Sequence, residues 1–241
     1  MAKPHRVFIT GVSSGLGLAL CKKYLEQGSD VYGLSRKEVP ELTSSILSKN
    51  FHHISCDLES EESIVKSLSQ TKLPDLFNLV ILNAGQVGQI RTLIDSNLKE
   101  MQRLMQVHLW ANQTIMQSLL KSDILVKQVI GISSGAAVNG NKGWSGYSIS
   151  KAAFNMWISL FSQDFPETHF TALAPGLIDT KMQDYLCDEV NAKVFKSLQR
   201  IKGLRGTINM PTPDELAPRF VELVPQLLNF KSGSFQDIRM I

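Results

Sequence analysis

Tyr147 and Lys151 stand four residues apart in Tyr147-Ser148-Ile149-Ser150-Lys151, a spacing that puts both side chains on one face of a helix. A phenol is a poor acid at neutral pH, with a reference pKa of about 10. A nearby ammonium stabilises the phenolate, lowers that pKa and makes proton exchange with a substrate feasible. Ser133 and Ser134 close the apolar run that precedes this helix, and a serine hydroxyl there can hydrogen-bond a substrate oxygen as charge develops on it. Alone, a Tyr-x-x-x-Lys pair is often no more than a helix surface. Its meaning depends on the rest of the chain.

A second group of residues could hold a nucleotide. Thr10-Gly11-Val12-Ser13-Ser14-Gly15-Leu16-Gly17 follows the first apolar run and opens an amphipathic stretch. Gly11, Gly15 and Gly17 would let the backbone turn sharply and approach a pyrophosphate. Ser13, Ser14 and Leu16 lie at the helix start, where free N–H groups and the positive end of the dipole favour an anion. The spacing is G-x-x-x-G-x-G rather than G-x-G-x-x-G. It could be only a tight turn, but as the first turn of a βαβ unit it reads as nucleotide binding. Arg36 ends the second apolar run, where NAD sites usually carry an acid. Its planar fork suits a 2′-phosphate and points to NADP, the alternative being an exposed basic loop residue. Asp57 and Leu58 follow the third run, and Asn83-Ala84-Gly85 the fourth. Asp57 could accept from an adenine amine, and small residues would let the backbone pass beside a cofactor. Turn chemistry alone would also explain them.

These groups need elements to bring them together. Val7–Thr10, Asp30–Leu34, Phe51–Ser55, Leu79–Leu82, Val126–Ile132 and His169–Leu173 are short, apolar, and mostly bounded by turn formers, so they read as buried strands. Helical patterns fall between them at Leu16–Gln27, Glu61–Gln70, Leu98–Leu120 and Tyr147–Phe165. Alternation of this kind predicts an α/β fold: a doubly wound, mostly parallel, Rossmann-type sheet with helices on both faces. Nothing divides the chain, so residues 1–241 read as one domain. Residues 176–213 break the rhythm with a polar helical excursion, including Met182–Arg200, before a last helix at Asp214–Leu228. Leaving directly from a strand, that excursion should overhang the ligand crevice.

Composition narrows the classes. Among 241 residues, 43% are hydrophobic and 20% charged, and 25 basic against 22 acidic side chains leave a net charge of +3. No Lys/Arg block stands out, which argues against a nucleic-acid partner. Met1-Ala2-Lys3-Pro4 runs straight into the first strand with no leader pattern, and no apolar run is long enough for a membrane span. Three scattered cysteines, Cys21, Cys56 and Cys187, suit a reducing cytoplasm. His52 and His53 would point to opposite faces of a strand, and with no third ligand at helpful spacing no metal is expected.

With the glycine loop, Asn83-Ala84-Gly85, Ser134, Tyr147, Lys151 and Pro175-Gly176 in order, the chain resembles the short-chain dehydrogenase/reductase family over nearly its whole length. The resemblance implies that Tyr147 is the catalytic acid and that Lys151 holds the nicotinamide ribose and lowers the Tyr pKa. It implies that Ser134 orients the carbonyl, and that Pro175, Gly176, Ile178 and Thr180 border the nicotinamide, with Thr180 on its carboxamide. Ile132-Ser133-Ser134, Lys142-Gly143-Trp144 and Asp179-Thr180-Lys181-Met182-Gln183 are similar to segments of sepiapterin reductases and bacterial benzil or diketone reductases. The implied activity is NADPH-dependent reduction of a ketone or vicinal diketone, and the implied assembly a homodimer or homotetramer paired through its long helices. By the same likeness Asp237 is a candidate substrate anchor, or else a solvated carboxylate beside a terminal strand. Trp144 would line the pocket or simply pack on its neighbours.

Two positions depart from the family pattern. His108 stands where the family usually carries an Asn that supports a proton relay to the Lys. Imidazole could serve such a relay, or it could be a satisfied, partly buried helix residue. Ser14 stands where many NADP-dependent members carry Arg or Lys, which leaves Arg36 with less help. A catalytically weak nucleotide sensor or scaffold of the same fold is the competing reading. It would need the glycine loop but not the Ser134–Tyr147–Lys151 set.

Overall fold

The computed structural model describes residues 5–44, 46–191 and 193–241; Met1–Pro4, read for a leader, lies outside the described residues. Seven strands make the main sheet: β1 Arg6–Thr10, β2 Asp30–Ser35, β3 Phe51–Ser55, β4 Leu79–Leu82, β5 Gln128–Ile132, β6 His169–Ala174 and β7 Ser234–Asp237. All pair in parallel, in the order β3-β2-β1-β4-β5-β6-β7. The longer helices are α1 Gly15–Glu26, α2 Glu61–Gln70, α3 Leu98–Met105, α4 Ala111–Leu120, α5 Ser145–Asp164, α6 Lys196–Leu204 and α7 Pro213–Leu223. The strand order reverses between β1 and β4, so a crevice opens beyond their carboxyl ends.

The period-2 alternation of the strands divides the core between two faces. Val7, Ile9, Leu79, Ile81 and Ile130 pack with α1 and α7. Phe8, Val80, Leu82 and Val129 pack with α2, α4 and α5 on the other side. Each of these strand residues is essentially inaccessible to solvent, and burying such a side chain contributes about 1.5–3 kcal/mol. That double-sided burial is why the strands read as continuous apolar runs.

Four boundaries differ from the sequence expectation. Leu98–Leu120 is not one uninterrupted α-helix, because a π-turn at Gln106–Trp110 separates α3 from α4. Its loosened carbonyl at His108 is taken by the Asn112 side chain at 2.8 Å. Leu125–Val126 leaves the main sheet to pair with Leu76–Phe77. The excursion is not one helix over Met182–Arg200. It turns at Lys181–Asp184, continues as a π-turn at Tyr185–Glu189, and restarts as α6. Finally, β7 adds an edge strand in register Thr171↔Ser234 to Ala174↔Asp237. Its residues are only half-buried, so it lacks the apolar signature of the others. No helix among the described residues is long and apolar enough to cross a membrane.

The excursion carries a small core of its own. Leu186, Cys187, Phe195, Leu198, Ile201 and Met210 pack with Val87, Ile90 and Trp144. Arg205 ties it to the loop after β6 by an ion pair to Asp179 at 3.2 Å, and pairs within it to Asp188 at 3.1 Å and to Asp184. This layer covers one wall of the crevice.

Candidate active site

The crevice holds about 640 Å³ and runs from the glycine loop to the excursion. Gly11, with φ +76°, lines its floor and Gly17 backs it closely: a Cβ on Gly17 would lie 2.2 Å from the Gly11 carbonyl oxygen. Only hydrogen fits there. Thr10 and Asn83 hold the loop against β4. The Thr10 hydroxyl accepts from the Asn83 and Ala84 N–H groups at 2.9 and 3.0 Å, while Asn83 Nδ2 donates to the Thr10 carbonyl at 2.9 Å. Ser14 caps α1 without a side-chain hydrogen bond, so the first N–H groups of that helix face the crevice with no internal partner. This cradle suits a dinucleotide pyrophosphate.

Arg36 lines the same crevice and is largely exposed, its nearest acid being Glu59 at 4.0 Å. Glu59 is engaged elsewhere, accepting from Arg103 at 2.7 Å and Gln86 Nε2 at 3.2 Å. The Arg103 hydrogen bond, above all, holds its carboxyl below the usual range. Arg36 therefore keeps a guanidinium fork for a ligand oxyanion. The donors present fit a nicotinamide dinucleotide.

At the other end, α5 presents Tyr147 and Lys151 toward Ser134 at the end of β5. The Ser134 hydroxyl is within hydrogen-bonding reach of the Tyr147 phenol and also accepts from the Ala136 N–H at 3.1 Å. Lys151 is buried, donates from Nζ to the Ile132 carbonyl at 2.7 Å, and sits 5.6 Å from the Phe154 ring. The sequence predicts a phenol pulled down by an ammonium. The protein alone has the reverse balance: burial pushes the Tyr147 phenol up, partly offset by Ser134, and lowers Lys151 to about 7. Desolvation disfavours both charged forms.

His108 lies in the π-turn, buried, with its ring edge-on to Tyr147 at 5.7 Å. Its Nε2 accepts from the Gln86 backbone N–H at 3.0 Å, and its Nδ1 faces Ser150 Oγ at 2.8 Å. A backbone N–H only donates, so Nε2 carries no proton and Nδ1 donates to Ser150, whose hydroxyl passes on to the Tyr147 carbonyl at 2.9 Å. Burial, followed by the Lys151 charge, holds the imidazole well below its usual pKa. His108 is thus a neutral clasp between the loop after β4 and α5.

Of the residues singled out in the sequence, Gly11, Ser13, Ser14, Gly15, Leu16, Arg36, Asp57, Leu58, Asn83, Ala84 and Gly85 line the crevice together. So do Ser134, Trp144, Tyr147, Lys151, Pro175, Gly176, Ile178 and Thr180. Gly17 and His108 stand behind the lining. Asp237 is not brought into it: both of its oxygens are held by Arg239, at 2.8 Å from Nε and 2.5 Å from a terminal nitrogen. Trp144 does both things expected of it, lining the crevice while its Nε1 donates to Ser197 Oγ at 2.8 Å. Sequence reasoning missed Thr10, Gln86 and Ser150, whose roles are hydrogen bonds to distant elements. It also missed Leu177, Met182, Gln183 and Leu186 as lining residues. Met182 and Gln183 were visible only within the segment similar to known reductases, and Leu177 and Leu186 only as members of the excursion.

Comparison with known proteins identifies the family. The family model for short chain dehydrogenase matches residues 5–191. The chain is 31% identical to benzil reductase ((S)-benzoin forming) of Bacillus subtilis, over 96% of this chain and 97% of that protein. It is 28% identical to benzil reductase ((S)-benzoin forming) IRC24 of Saccharomyces cerevisiae, over 97% of each. A crystal structure from Escherichia coli CFT073, complexed with NADPH, shares the fold with a TM-score of 0.78 at 20% identity, covering 98% of this chain and 96% of that one. Matched over most of its length by the family model and by relatives aligned nearly end to end, the chain belongs to the short-chain dehydrogenase family of oxidoreductases.

Proposed function

We propose that this oxidoreductase uses NADPH to reduce a ketone or vicinal diketone, with Tyr147 as the proton donor. One observation carries the reading: a half-buried tyrosine, a serine hydroxyl in reach of it and a buried lysine meet in the crevice that the glycine loop also lines. Burial keeps the Tyr147 phenol protonated at neutral pH, the form a donor needs. Its proton goes to the substrate oxygen, and Ser134 donates a hydrogen bond to the same oxygen as negative charge builds. Lys151, lowered to about 7 by burial, is in part protonated at neutral pH, and in that form it stabilises the phenolate that Tyr147 leaves. A bound NADPH would supply the hydride to the carbonyl carbon. His108 works as a positioning residue, holding the Gln86 N–H and α5 in place around Lys151.

The benzil reductase relatives support a diketone as substrate, and Arg36 supports NADP over NAD. A homodimer or homotetramer belongs to the same reading, supported by exposed Trp110, Ile149, Met156 and Leu160 on or beside α4 and α5. A reducing, cytoplasmic setting fits the three buried free thiols.

The test is NADPH oxidation followed by absorbance, with benzil, sepiapterin and a simple aryl ketone, NADH alongside, and Tyr147→Phe as background. We expect turnover that Tyr147→Phe reduces about 100- to 10,000-fold. NADPH binding with no Tyr147-dependent turnover of any ketone would leave the sensor reading standing instead.

A further inference from the structure

Buried polar side chains around the reaction centre are consistently bonded: His108, Ser133, Ser150 and Lys151 each have a protein partner. Gln183 breaks the pattern. Its residue is only 6% exposed, yet its Oε1 has no hydrogen-bond partner. Two other buried side-chain atoms among the described residues share that condition, Tyr24 Oη and Ser148 Oγ. Of the three residues, Gln183 alone lines the crevice. Its backbone is settled, with the N–H donating to the Thr180 carbonyl at 2.7 Å in the short turn that starts the excursion. The lining of the same crevice includes the apolar side chains of Trp144, Leu177, Met182 and Leu186.

An amide in such a wall is unfavourable unless something bonds it. A purely hydrocarbon substrate body would do better against leucine or methionine. The amide's chemistry also narrows what meets it. By turning about its last bond it offers N–H to a ketone oxygen or a carbonyl to a hydroxyl. It therefore serves both an oxygenated substrate and the alcohol made from it.

We propose that Gln183 determines specificity by hydrogen-bonding a second oxygen of the substrate, on the carbon next to the carbonyl that is reduced. The inference rests on the ketone-reductase reading above and narrows its substrates to 1,2-dioxygenated compounds, vicinal diketones and α-hydroxy ketones. Tyr147 and Ser134 take the reacting oxygen, Gln183 takes its neighbour, and Trp144, Met182 and Leu186 take the apolar remainder. A simple ketone leaves the amide unpaired in the complex, and a site built to bond a polar group discriminates against analogues that lack it.

The matched pair benzil and deoxybenzoin, which differ by one carbonyl oxygen, tests this directly. kcat/KM is measured for both with wild type, Gln183→Leu and the near-isosteric Gln183→Met, and NADPH affinity is measured by fluorescence titration. We expect wild type to favour benzil, and both variants to reduce the benzil-to-deoxybenzoin ratio about 10- to 100-fold, with NADPH affinity within about twofold. Thermal melting confirms that the variants are folded, and Met stands in should Leu fail to fold. An unchanged ratio overturns the inference, because the amide would then not read the second oxygen. A fall in NADPH affinity with equal loss on both ketones also overturns it, assigning Gln183 to the cofactor. If wild type reduces deoxybenzoin as well as benzil, through Tyr147, the inference fails while the reductase reading stands. If wild type reduces neither, both fail.

Discussion

His108 offers a prediction that separates a positioning role from a proton relay. Its ring is 1% exposed, with the Gln86 N–H aimed at Nε2 and Ser150 at Nδ1. A proton on Nε2 would oppose the Gln86 N–H and lie near Lys151, which already lowers the imidazole pKa. The folded protein therefore keeps His108 neutral, while the unfolded chain protonates it below about pH 6.5. The unfolded state then binds more protons, so stability is complete above the unfolded pKa and falls as pH drops through it. For a group whose folded pKa is far lower, the loss is under about 0.1 kcal/mol at pH 7.5 and about 1.4 kcal/mol at pH 5.5. Urea unfolding of wild type and His108→Asn at both pH values measures it. Asn cannot titrate, so wild type should lose more than the variant on acidification, by up to about 1.4 kcal/mol. The variant itself should be less stable at pH 7.5 by about 1–3 kcal/mol, having left a buried partner unbonded. Identical acid sensitivity in the two proteins would mean that His108 takes up a proton where it stands. The clasp argument would then be wrong, and a relay through the ring would be restored.

Two further outcomes follow from the cofactor end of the crevice. Arg36→Ala should weaken NADPH binding about 10- to 100-fold, the cost of one charged hydrogen-bonding partner, and leave NADH within about twofold, both read by titration. Equal losses for the two nucleotides would remove Arg36 from the 2′-phosphate. Gly17→Ala would put a methyl 2.2 Å from the Gly11 carbonyl oxygen and 2.5 Å from Asn83 Nδ2. That overpacking should cost about 1–3 kcal/mol and, by displacing the loop, at least tenfold in NADPH affinity. A variant that melts and binds like wild type would show that the loop yields freely.

The sheet and the cofactor end were legible in the amino-acid order because their causes are local. Apolar runs such as Val7-Phe8-Ile9 must be buried on both faces. Glycines at 11, 15 and 17 suit a sharp strand-to-helix turn, and residues following successive parallel strands gather along one edge of the sheet. The Tyr147–Lys151 spacing likewise sets two side chains on one helix face wherever that helix goes. The weakly apolar strand β7 and the π-turn were hidden, since neither alters the hydrophobic period enough to be read.

What the tertiary structure decided concerns neighbours far apart in the chain and the solvent they exclude. The reversal of the expected Tyr147 shift arises because burial of the phenol itself disfavours its charged form, as burial of Lys151 disfavours the ammonium. The commitment of both His108 nitrogens depends on Gln86 and Ser150, 22 and 42 residues away. Asp237 was free to be an anchor until Arg239 folded back onto it. Gln183 reads in the sequence only as the end of a segment similar to known reductases, and the fold alone leaves its Oε1 buried without a partner. Residue types and short spacings determine which chemistry is available. Desolvation and hydrogen-bond satisfaction are properties of the packed whole, so only the folded chain determines which groups are charged, which are occupied and which are left to meet a ligand.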